Sequence, residues 1–549
     1  MVLKIFIICA IVVSSHFCKT VRAPKVDFKS RKLTTTVERD SDWGEMRFYV
    51  DWSALTTDQK TEYEKYVDAA FTYFSNALKV HQITSSSTWD EFYNSNSYCT
   101  ALYDIYEGKV IEGTDMLVVI TSEYNTEESY AGYSTTCGKD PVTNQPIATL
   151  INLNTAYIDT EEINVDEFIM LMTHELAHSL GFSYDEMTDF IKSDGSKYTD
   201  DELFTVATVR GMTDQVFLRT PKVRALARTA FGCSDLPGVQ LENQGGSGSL
   251  YQHWDKRMVG TEFMNPQILS NDVVYSDLSL AVFEDSGWYM PDYSYGSQIN
   301  FGYNQGCDFV ENKCIVDEEP ITDEFCVDTL NSLCDFSYLS YGDCDLGEMS
   351  DEIPTEFQYF SDESLGGDYF LDYCPVNSRT YDCRSGWVAD SDLGEKFCLD
   401  CRCVQGTFSL SGASSSHASC HEVTCSDSSF VVKVGTVEVT CTTDGEEITV
   451  EGYTGTLTCP KFDRICADPP CRNNCYGGKC VNGKCSNGGD VDGFEGEDYP
   501  DNGGTTDSSS SSESSSESSS ESSSSGSGSS YNSSSVFIHY SVACLVIAL

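Results

Sequence analysis

The sequence predicts an α+β protein whose C-terminal domain is rich in β-strands and disulfides. A strand-like stretch, a long amphipathic helix, two apolar β-branched runs and a second, more apolar helix follow one another in the first half. Most of the 25 cysteines fall in the second half of the 549 residues. This length allows two or three domains with their own cores. A hydrophobic content of 40% fits a globular protein.

The first elements can be justified from their periodicity. Residues 47–52 read as a strand, and residues 58–80 carry apolar side chains at helical spacing. Residues 116–121 and 147–153 are apolar and rich in β-branched side chains, which predicts two further strands. Together with the next helix they predict a sheet with helices packed on it.

The second helix carries the most informative motif of the chain, His174-Glu175-Leu176-Ala177-His178. Histidines four residues apart lie on one face of a helix, so both rings can reach one metal ion. Glu175 can then accept a proton from a metal-activated water. Gly181 follows this helix, at a position where a helix commonly ends with a residue of positive φ, and glycine adopts that conformation most easily. The motif favours a zinc site over an amphipathic core helix with two histidines that only pack.

A catalytic zinc site needs a third protein ligand, with the fourth position open to water. The compact form of this motif places a histidine at 184, but the residue there is Tyr184. Glu186 and Glu202 are candidates for a carboxylate ligand. His253 is the other candidate, because it follows a glycine-rich stretch and precedes Met264 by eleven residues. A methionine in a tight turn shortly after the last ligand is typical of metzincin zinc proteases.

Several segments together resemble leishmanolysin, a family of surface metzincins. They are His174 to Ser183, Gly245-Gly246-Ser247-Gly248 leading to His253, Met264, Asp285 to Tyr289, Gly306-Cys307 with Cys314, Tyr373-Cys374-Pro375, and Arg39 to Gly44. The resemblance runs from about residue 39 to about residue 460. It implies one Zn²⁺ per chain held by His174, His178 and His253, with Glu175 as the catalytic residue. It also implies structural roles for Gly181 and Met264.

The resemblance implies a metzincin-like catalytic domain made of a twisted sheet and the active-site helix. We therefore expect an N-terminal catalytic subdomain at 39–181 and a central subdomain at 182–290 that carries the third ligand and the methionine turn. A cysteine-rich C-terminal domain is expected at 291–465. By the spacing of its cysteines, 466–487 is expected to form an EGF-like knot.

Both ends of the chain look like processing signals. Residues 1–23 combine Lys4 with an apolar run, which is typical of a secretory signal peptide, and 24–38 would be a short pro-segment. Residues 488–530 form a Ser/Glu-rich stalk. Residues 531–549 end in an apolar tail behind small residues, which indicates a GPI-attachment signal. We expect a protein anchored on the cell surface by a lipid, or alternatively a secreted one.

The cysteines agree with export. Removing Cys9, Cys18 and Cys544 with the terminal segments leaves an even number of the 25 cysteines, and in an exported protein disulfides are the default expectation. Metal ligation is the alternative for Cys401-Arg402-Cys403, and for His417 and His421 around Cys420. A net charge of −52 argues against nucleic-acid binding, because phosphates would be repelled.

These observations predict a cell-surface zinc endopeptidase that hydrolyses peptide bonds in protein or peptide substrates. The alternative is a catalytically silent adhesin or coat protein that keeps the protease fold. The cysteine-rich region, the EGF-like knot and the acidic stalk motivate that alternative.

Overall fold

The computed structural model describes residues 38–84, 87–88, 99, 110–128, 130–158, 165–269, 273–412, 415–468, 479–481 and 484–486. The predicted signal peptide, pro-segment, stalk and GPI-attachment signal lie outside these residues, apart from Glu38. Among the helices described, none combines the length and apolarity needed to cross a bilayer.

Helices are few and mostly short. Those of the described residues are α1 Thr57–Ala77, α2 Val165–Ser179, α3 Tyr184–Met187, α4 Asp200–Leu203, α5 Pro221–Phe231, α6 Lys256–Val259, α7 Asp277–Asp285, α8 Cys307–Glu311 and α9 Phe462–Ile465.

Strands are many, and they form several sheets. Up to residue 291 they are β1 Arg39–Glu45, β2 Phe48–Asp51, β3 Leu78–Ile83, β4 Ser87–Thr88, β5 Val110–Ile111, β6 Met116–Glu123, β7 Gly132–Lys139, β8 Pro146–Asn154, β9 Phe204–Val209, β10 Met212–Leu218, β11 Val239–Gln240 and β12 Tyr289–Pro291. Beyond it they are β13 Ile315–Val316, β14 Glu319–Pro320, β15 Leu333–Cys334, β16 Ser340–Gly342, β17 Gly347–Glu348, β18 Leu365–Gly366, β19 Tyr381–Asp382, β20 Cys401–Gly406, β21 His417–Cys425, β22 Phe430–Val434, β23 Val437–Cys441, β24 Glu447–Thr449, β25 Thr456–Thr458, β26 Lys479–Val481 and β27 Lys484–Ser486. The structure is thus a mixed α+β fold, as predicted.

The sheet against which α2 packs has the strand order β2-β6-β8-β7. β2, β6 and β8 run parallel, whereas β7 is antiparallel to β8 and ends the sheet among the described residues. Every residue of β8 is buried, as expected for a central strand covered on both faces. The predicted strands at 47–52, 116–121 and 147–153 are confirmed as β2, β6 and β8.

Helix α1 covers this sheet and packs against α2. Thr56 is its N-cap. The Thr56 hydroxyl oxygen accepts from the Gln59 backbone N–H, and the Gln59 side-chain oxygen accepts from the Thr56 backbone N–H. The ring of Tyr63 stacks on Phe168 of α2 at a centroid distance of 5.2 Å. This contact holds the two helices together.

The prediction that α1 runs to residue 80 is wrong at its end. The helix stops at Ala77, and Leu78 takes an extended conformation that starts β3. Leu78 and Val80 are buried while Lys79 between them is exposed, a period of two that belongs to a strand. Pairing of β3 with both β1 and β12 stabilises this conformation.

The region after residue 291 is held largely by disulfides around a six-stranded sheet of order β23-β22-β21-β20-β25-β24. All cysteines of the described residues up to 466 are paired, in the bonds Cys99–Cys137, Cys233–Cys307, Cys314–Cys374, Cys326–Cys344, Cys334–Cys403, Cys383–Cys420, Cys398–Cys401, Cys425–Cys466 and Cys441–Cys459. The default expectation of disulfides is confirmed for these residues. Metal ligation by Cys401, Cys403 or Cys420 is therefore wrong.

The grouping of Cys466 with the EGF-like knot needs correction. Cys466 is bonded to Cys425 at the end of β21, so it belongs to the preceding sheet. Of the other cysteines in that prediction, Cys471 and Cys475 lie outside the described residues, and β26 pairs with β27 through Cys480 and Cys485 as backbone partners. The knot itself stays a prediction.

Candidate metal centre

Helix α2 carries the first two histidines of the site. Asp166 and Glu167 lie in its first turn, where carboxylates complement the positive end of the helix dipole. His174 and His178 follow one turn apart, both buried. Their Nε2 atoms are 2.9 Å apart, so the helical spacing brings both rings to one point as predicted.

The exit of the helix orients His178. Gly181 has φ = +119°, and a Cβ there would lie 2.9 Å from the ring of Trp288, so both backbone conformation and space favour glycine. The turn brings the carbonyl of Phe182 back to His178, whose Nδ1 donates to it at 2.5 Å. A proton on Nδ1 leaves the Nε2 lone pair free for a metal.

His253 reaches the same point from 75 residues further along the chain. The backbone of Glu242 brackets it, because the Glu242 N–H donates to the His253 carbonyl at 2.9 Å and the Glu242 carbonyl accepts from Tyr251. The glycine-rich stretch folds into a tight turn at Gly246–Gly248. This turn carries Ser249, whose carbonyl lies 3.2 Å from His253 Nδ1.

The three Nε2 atoms form a nearly equilateral triangle. His253 Nε2 lies 3.2 Å from His174 Nε2 and 3.3 Å from His178 Nε2. Tetrahedral zinc with Zn–N bonds of about 2.0–2.1 Å separates its ligand nitrogens by about 3.3 Å. With each Nδ1 facing a carbonyl oxygen, the three Nε2 atoms have no proton to share. Lone pairs converging at this spacing fit a zinc ion.

Electrostatics keep the histidines neutral. Burial, reinforced by the neighbouring histidines, lowers the pKa of His174 and His253 well below its ordinary value. Burial lowers the pKa of His178 to about 4. Since metal binding requires the neutral imidazole, the site is ready for a cation at neutral pH.

Glu175 lies next to His174 and is fully buried. Neither of its carboxylate oxygens has a hydrogen-bond partner with good geometry. Burial raises its pKa well above the ordinary value, and Ser134 close by offsets part of the rise. A Cβ built on Gly132 of β7 would lie 3.5 Å from Oε1, so the carboxylate faces the end strand of the sheet. A buried acid with a raised pKa and no well-formed hydrogen bond is typical of a catalytic group.

The turn that contains Met264 connects the ligands. Met264 is buried, and its carbonyl accepts from the Trp254 N–H, next to His253, at 3.0 Å. The carbonyl of Phe263 accepts from His174 Nδ1 at 2.7 Å. The predicted turn therefore touches His174 directly and the segment of His253 through its backbone.

The other candidate ligands are engaged elsewhere. Tyr184, which stands where the compact motif would have its third histidine, stacks on Phe204 at a centroid distance of 4.7 Å. Glu186 pairs with Lys139 at 2.7 Å, and Glu202 pairs with Lys192 at 2.7 Å on the surface. Of the alternatives that the sequence left open, the structure brings only His253 to the pair on α2.

Sequence reasoning missed the groups that orient the ligands. The carbonyls of Phe182, Ser249 and Phe263 leave no signature in residue type, because any residue supplies a carbonyl. Glu262 is the exception. It lies beside Phe263 in the predicted methionine turn, and an acidic residue in an otherwise uncharged turn is the one signal that could have singled it out.

Comparisons with known proteins show the family to which the chain is similar. The family model described as leishmanolysin matches residues 54–474. A leishmanolysin homolog of Crithidia fasciculata is 28% identical over 488 residues, covering 78% of this chain and 72% of that protein. Leishmanolysin of Leishmania tropica is 28% identical over 451 residues, covering 75% of this chain and 64% of that protein.

A leishmanolysin-like peptidase of Caenorhabditis elegans is 27% identical over 343 residues, covering 51% of this chain and 50% of that protein. The chain thus spans between half and about three quarters of the length of these relatives. The family model covers well over half of the chain. This chain therefore belongs to the leishmanolysin family, a family of zinc metalloproteases.

Proposed function

We propose that this chain is a zinc-dependent endopeptidase, with His174, His178 and His253 as ligands of one zinc ion and Glu175 as general base and acid. The observation that carries the proposal is the triangle of Nε2 atoms, with sides of 2.9, 3.2 and 3.3 Å, beside the fully buried Glu175. Gly181 and Met264 act structurally, through the helix exit and the turn.

Bound zinc supplies a Lewis acid that polarises a peptide carbonyl and lowers the pKa of water towards about 7. Glu175 removes a proton from the attacking water as the new C–O bond forms. It then delivers that proton to the departing amine nitrogen as the C–N bond breaks. A raised pKa suits this exchange, because Glu175 must both accept and release the proton.

The end strand β7 offers a way to bind the substrate. β7 ends the main sheet among the described residues, and Gly132 at its start lies against Glu175. An extended peptide that pairs with β7 would add a strand to the sheet and run past the metal centre. Protein or peptide substrates in extended conformation fit this geometry.

The metzincin-like character of the catalytic domain belongs to the proposal, with a boundary near 181 and a central subdomain at 182–290. The division is supported by the sheet and α2 before 181, and by His253 and Met264 after it. The cysteine-rich domain at 291–465 follows, then the EGF-like segment and the stalk. Attachment to the cell surface by a GPI anchor is the corresponding proposal for location. Release of the protein from intact cells by a phosphatidylinositol-specific phospholipase C tests it.

The decisive experiment compares wild type, Glu175→Ala and Glu175→Gln, each purified and loaded with zinc, on a casein-type substrate. We expect one zinc per chain in all three and loss of at least about a thousandfold in cleavage for both variants. Glu202→Ala is the matched control, because it removes an exposed glutamate that was itself a candidate ligand. It should keep zinc and activity.

Three outcomes would contradict the proposal. Full cleavage by Glu175→Gln would show that Glu175 is not the general base. Wild type that binds one zinc but cleaves no peptide would favour the silent adhesin. Full zinc content in His253→Ala combined with its loss in Glu202→Ala would favour a carboxylate ligand instead.

A further inference from the structure

Glu262 is a buried carboxylate that the reaction itself does not use. It is fully buried at the start of the methionine turn. Its Oε2 accepts from the Met264 N–H at 2.5 Å, and its Oε1 accepts from the hydroxyls of Ser276 and Ser279 at 2.7 and 2.5 Å. Its own carbonyl accepts from the Asn265 side chain. One residue therefore ties the turn to the start of α7.

No Lys or Arg of the described chain pairs with this carboxylate, and all its donors are neutral. Burial raises the pKa of Glu262 to about 7. A buried carboxylate without a cation costs free energy that an apolar residue would not. Such a cost is tolerated where the hydrogen bonds hold a backbone conformation that packing alone would not define.

The contacts of Glu262 lead to the first ligand through the turn. Fixing the Met264 N–H sets the direction of the preceding carbonyl, that of Phe263. This carbonyl is the acceptor for His174 Nδ1 at 2.7 Å. A shift of the turn would move this carbonyl and so change the orientation of the His174 ring. The Nε2 atom of His174 would then no longer point at the metal position.

The same contacts lead to the other two ligands through Trp254. Ser279 Oγ, which donates to Glu262, accepts from Trp254 Nε1 at 3.0 Å. Trp254 follows His253 in the chain, and its ring meets Phe182 edge-on at 5.0 Å. Phe182 supplies the carbonyl that orients His178. Trp254 is fully buried, so this chain of contacts is closed to solvent.

We propose that Glu262, with Ser276, Ser279 and Trp254, forms a turn anchor that positions all three zinc ligands from outside the coordination sphere. Glu262 is a positioning residue and does not touch substrate or metal. The inference rests on the proposed function for the identity of the ligands. Outer partners of metal ligands typically change metal affinity by about 10–100-fold when removed.

Zinc dissociation into an excess of chelator tests the anchor without measuring catalysis. Glu262→Leu introduces an apolar residue of similar size and removes both acceptors, and we expect zinc to leave at least about tenfold faster than from wild type. Glu262→Gln keeps one oxygen acceptor, and the serine hydroxyls can rotate to accept from its amide. Zinc should therefore dissociate from Glu262→Gln at nearly the wild-type rate. A cobalt-substituted protein should show altered d–d bands for Glu262→Leu only.

Asp285→Asn is the matched control. Asp285 is also a buried carboxylate, and it accepts from the backbone N–H groups of Lys222 and Val223 at the start of α5, away from the methionine turn. Its replacement should lower the thermal midpoint but leave zinc dissociation and the cobalt spectrum unchanged. If Glu262→Leu fails to fold, Ser279→Ala serves in its place, with a several-fold faster zinc release expected.

The inference is overturned if Glu262→Leu and Ser279→Ala both release zinc at the wild-type rate, or if Asp285→Asn accelerates release equally. Wild type that binds no zinc at all would instead overturn the proposed function. The two failures are therefore distinguishable.

Discussion

Two regions of the molecule carry a pair of histidines four residues apart, and only one pair converges. His174 and His178 lie on α2, where four residues rise about 6 Å along the axis and return to the same face. Their Nε2 atoms are 2.9 Å apart. His417 and His421 lie on β21, where four residues span about 13 Å on one face. The same spacing makes a chelating pair in a helix and two separate side chains in a strand.

The second pair is separated by an aromatic ring. Phe408 lies with its centroid 4.9 Å from the ring of His417 and 5.6 Å from that of His421. His421 Nε2 faces Ser419 Oγ at 2.8 Å, and Cys420 between them is bonded to Cys383. Metal binding at His417 and His421, which the sequence left open as an alternative, does not fit this arrangement. Residue spacing therefore predicts a metal site only together with its secondary structure.

The largest effect should come from removing one histidine of each pair. His178→Ala should weaken zinc binding by more than about a hundredfold, beyond the effect of losing an outer partner, and abolish cleavage. His421→Ala should leave zinc content and cleavage unchanged. Metal analysis and a competition titration with a chromogenic chelator measure both. Zinc lost from His421→Ala would show that the second pair also binds metal.

A smaller effect, on stability and not on zinc binding or cleavage, should come from the disulfide beside the second pair. Replacing Cys383 and Cys420 by serine opens a bridge of sequence separation 37, which should destabilise the protein by about 3–4 kcal/mol in the chain-entropy account. Denaturant unfolding measures this loss. Zinc dissociation should stay at the wild-type rate, because none of the groups that orient the triad depends on β21. Faster zinc loss in the double variant would show that the two regions are coupled.

The smallest effect concerns acid. Burial lowers the pKa of His421 to about 4, whereas in the unfolded chain it lies near 6.5. The unfolded chain therefore takes up the proton first, so stability is lost as pH falls from about 6.5 to about 4, by up to about 3 kcal/mol. His421→Phe in zinc-loaded protein should flatten this part of the stability curve, followed by denaturant midpoints between pH 4 and 7. An unchanged slope would contradict a neutral, buried His421.

Much of the site was predictable because it is local. The helix, the convergence of His174 and His178, the exit at Gly181 and the sheet behind them follow from periodicity and the conformational freedom of glycine. Beyond the helix, local signals were weaker. The end of α1 at Ala77 depends on β3 finding partners in β1 and β12, and Cys466 pairs with a cysteine of a strand 41 residues earlier. Neither partner is visible in the neighbouring sequence.

The local sequence is enough to predict the first two proposed ligands and the proposed base, because helical geometry places residues i and i+4 on one face whatever the rest of the chain does. The choice of His253 over Glu186 and Glu202 as the proposed third ligand depends on the tertiary structure. Lys139 and Lys192 pair with the two carboxylates, and the turns around Ser249 and Met264 bring in the histidine. His253 lies 75 residues after His178. Its approach to the pair on α2 depends on how the sheets, turns and buried groups pack together, and this packing cannot be predicted from a local sequence pattern.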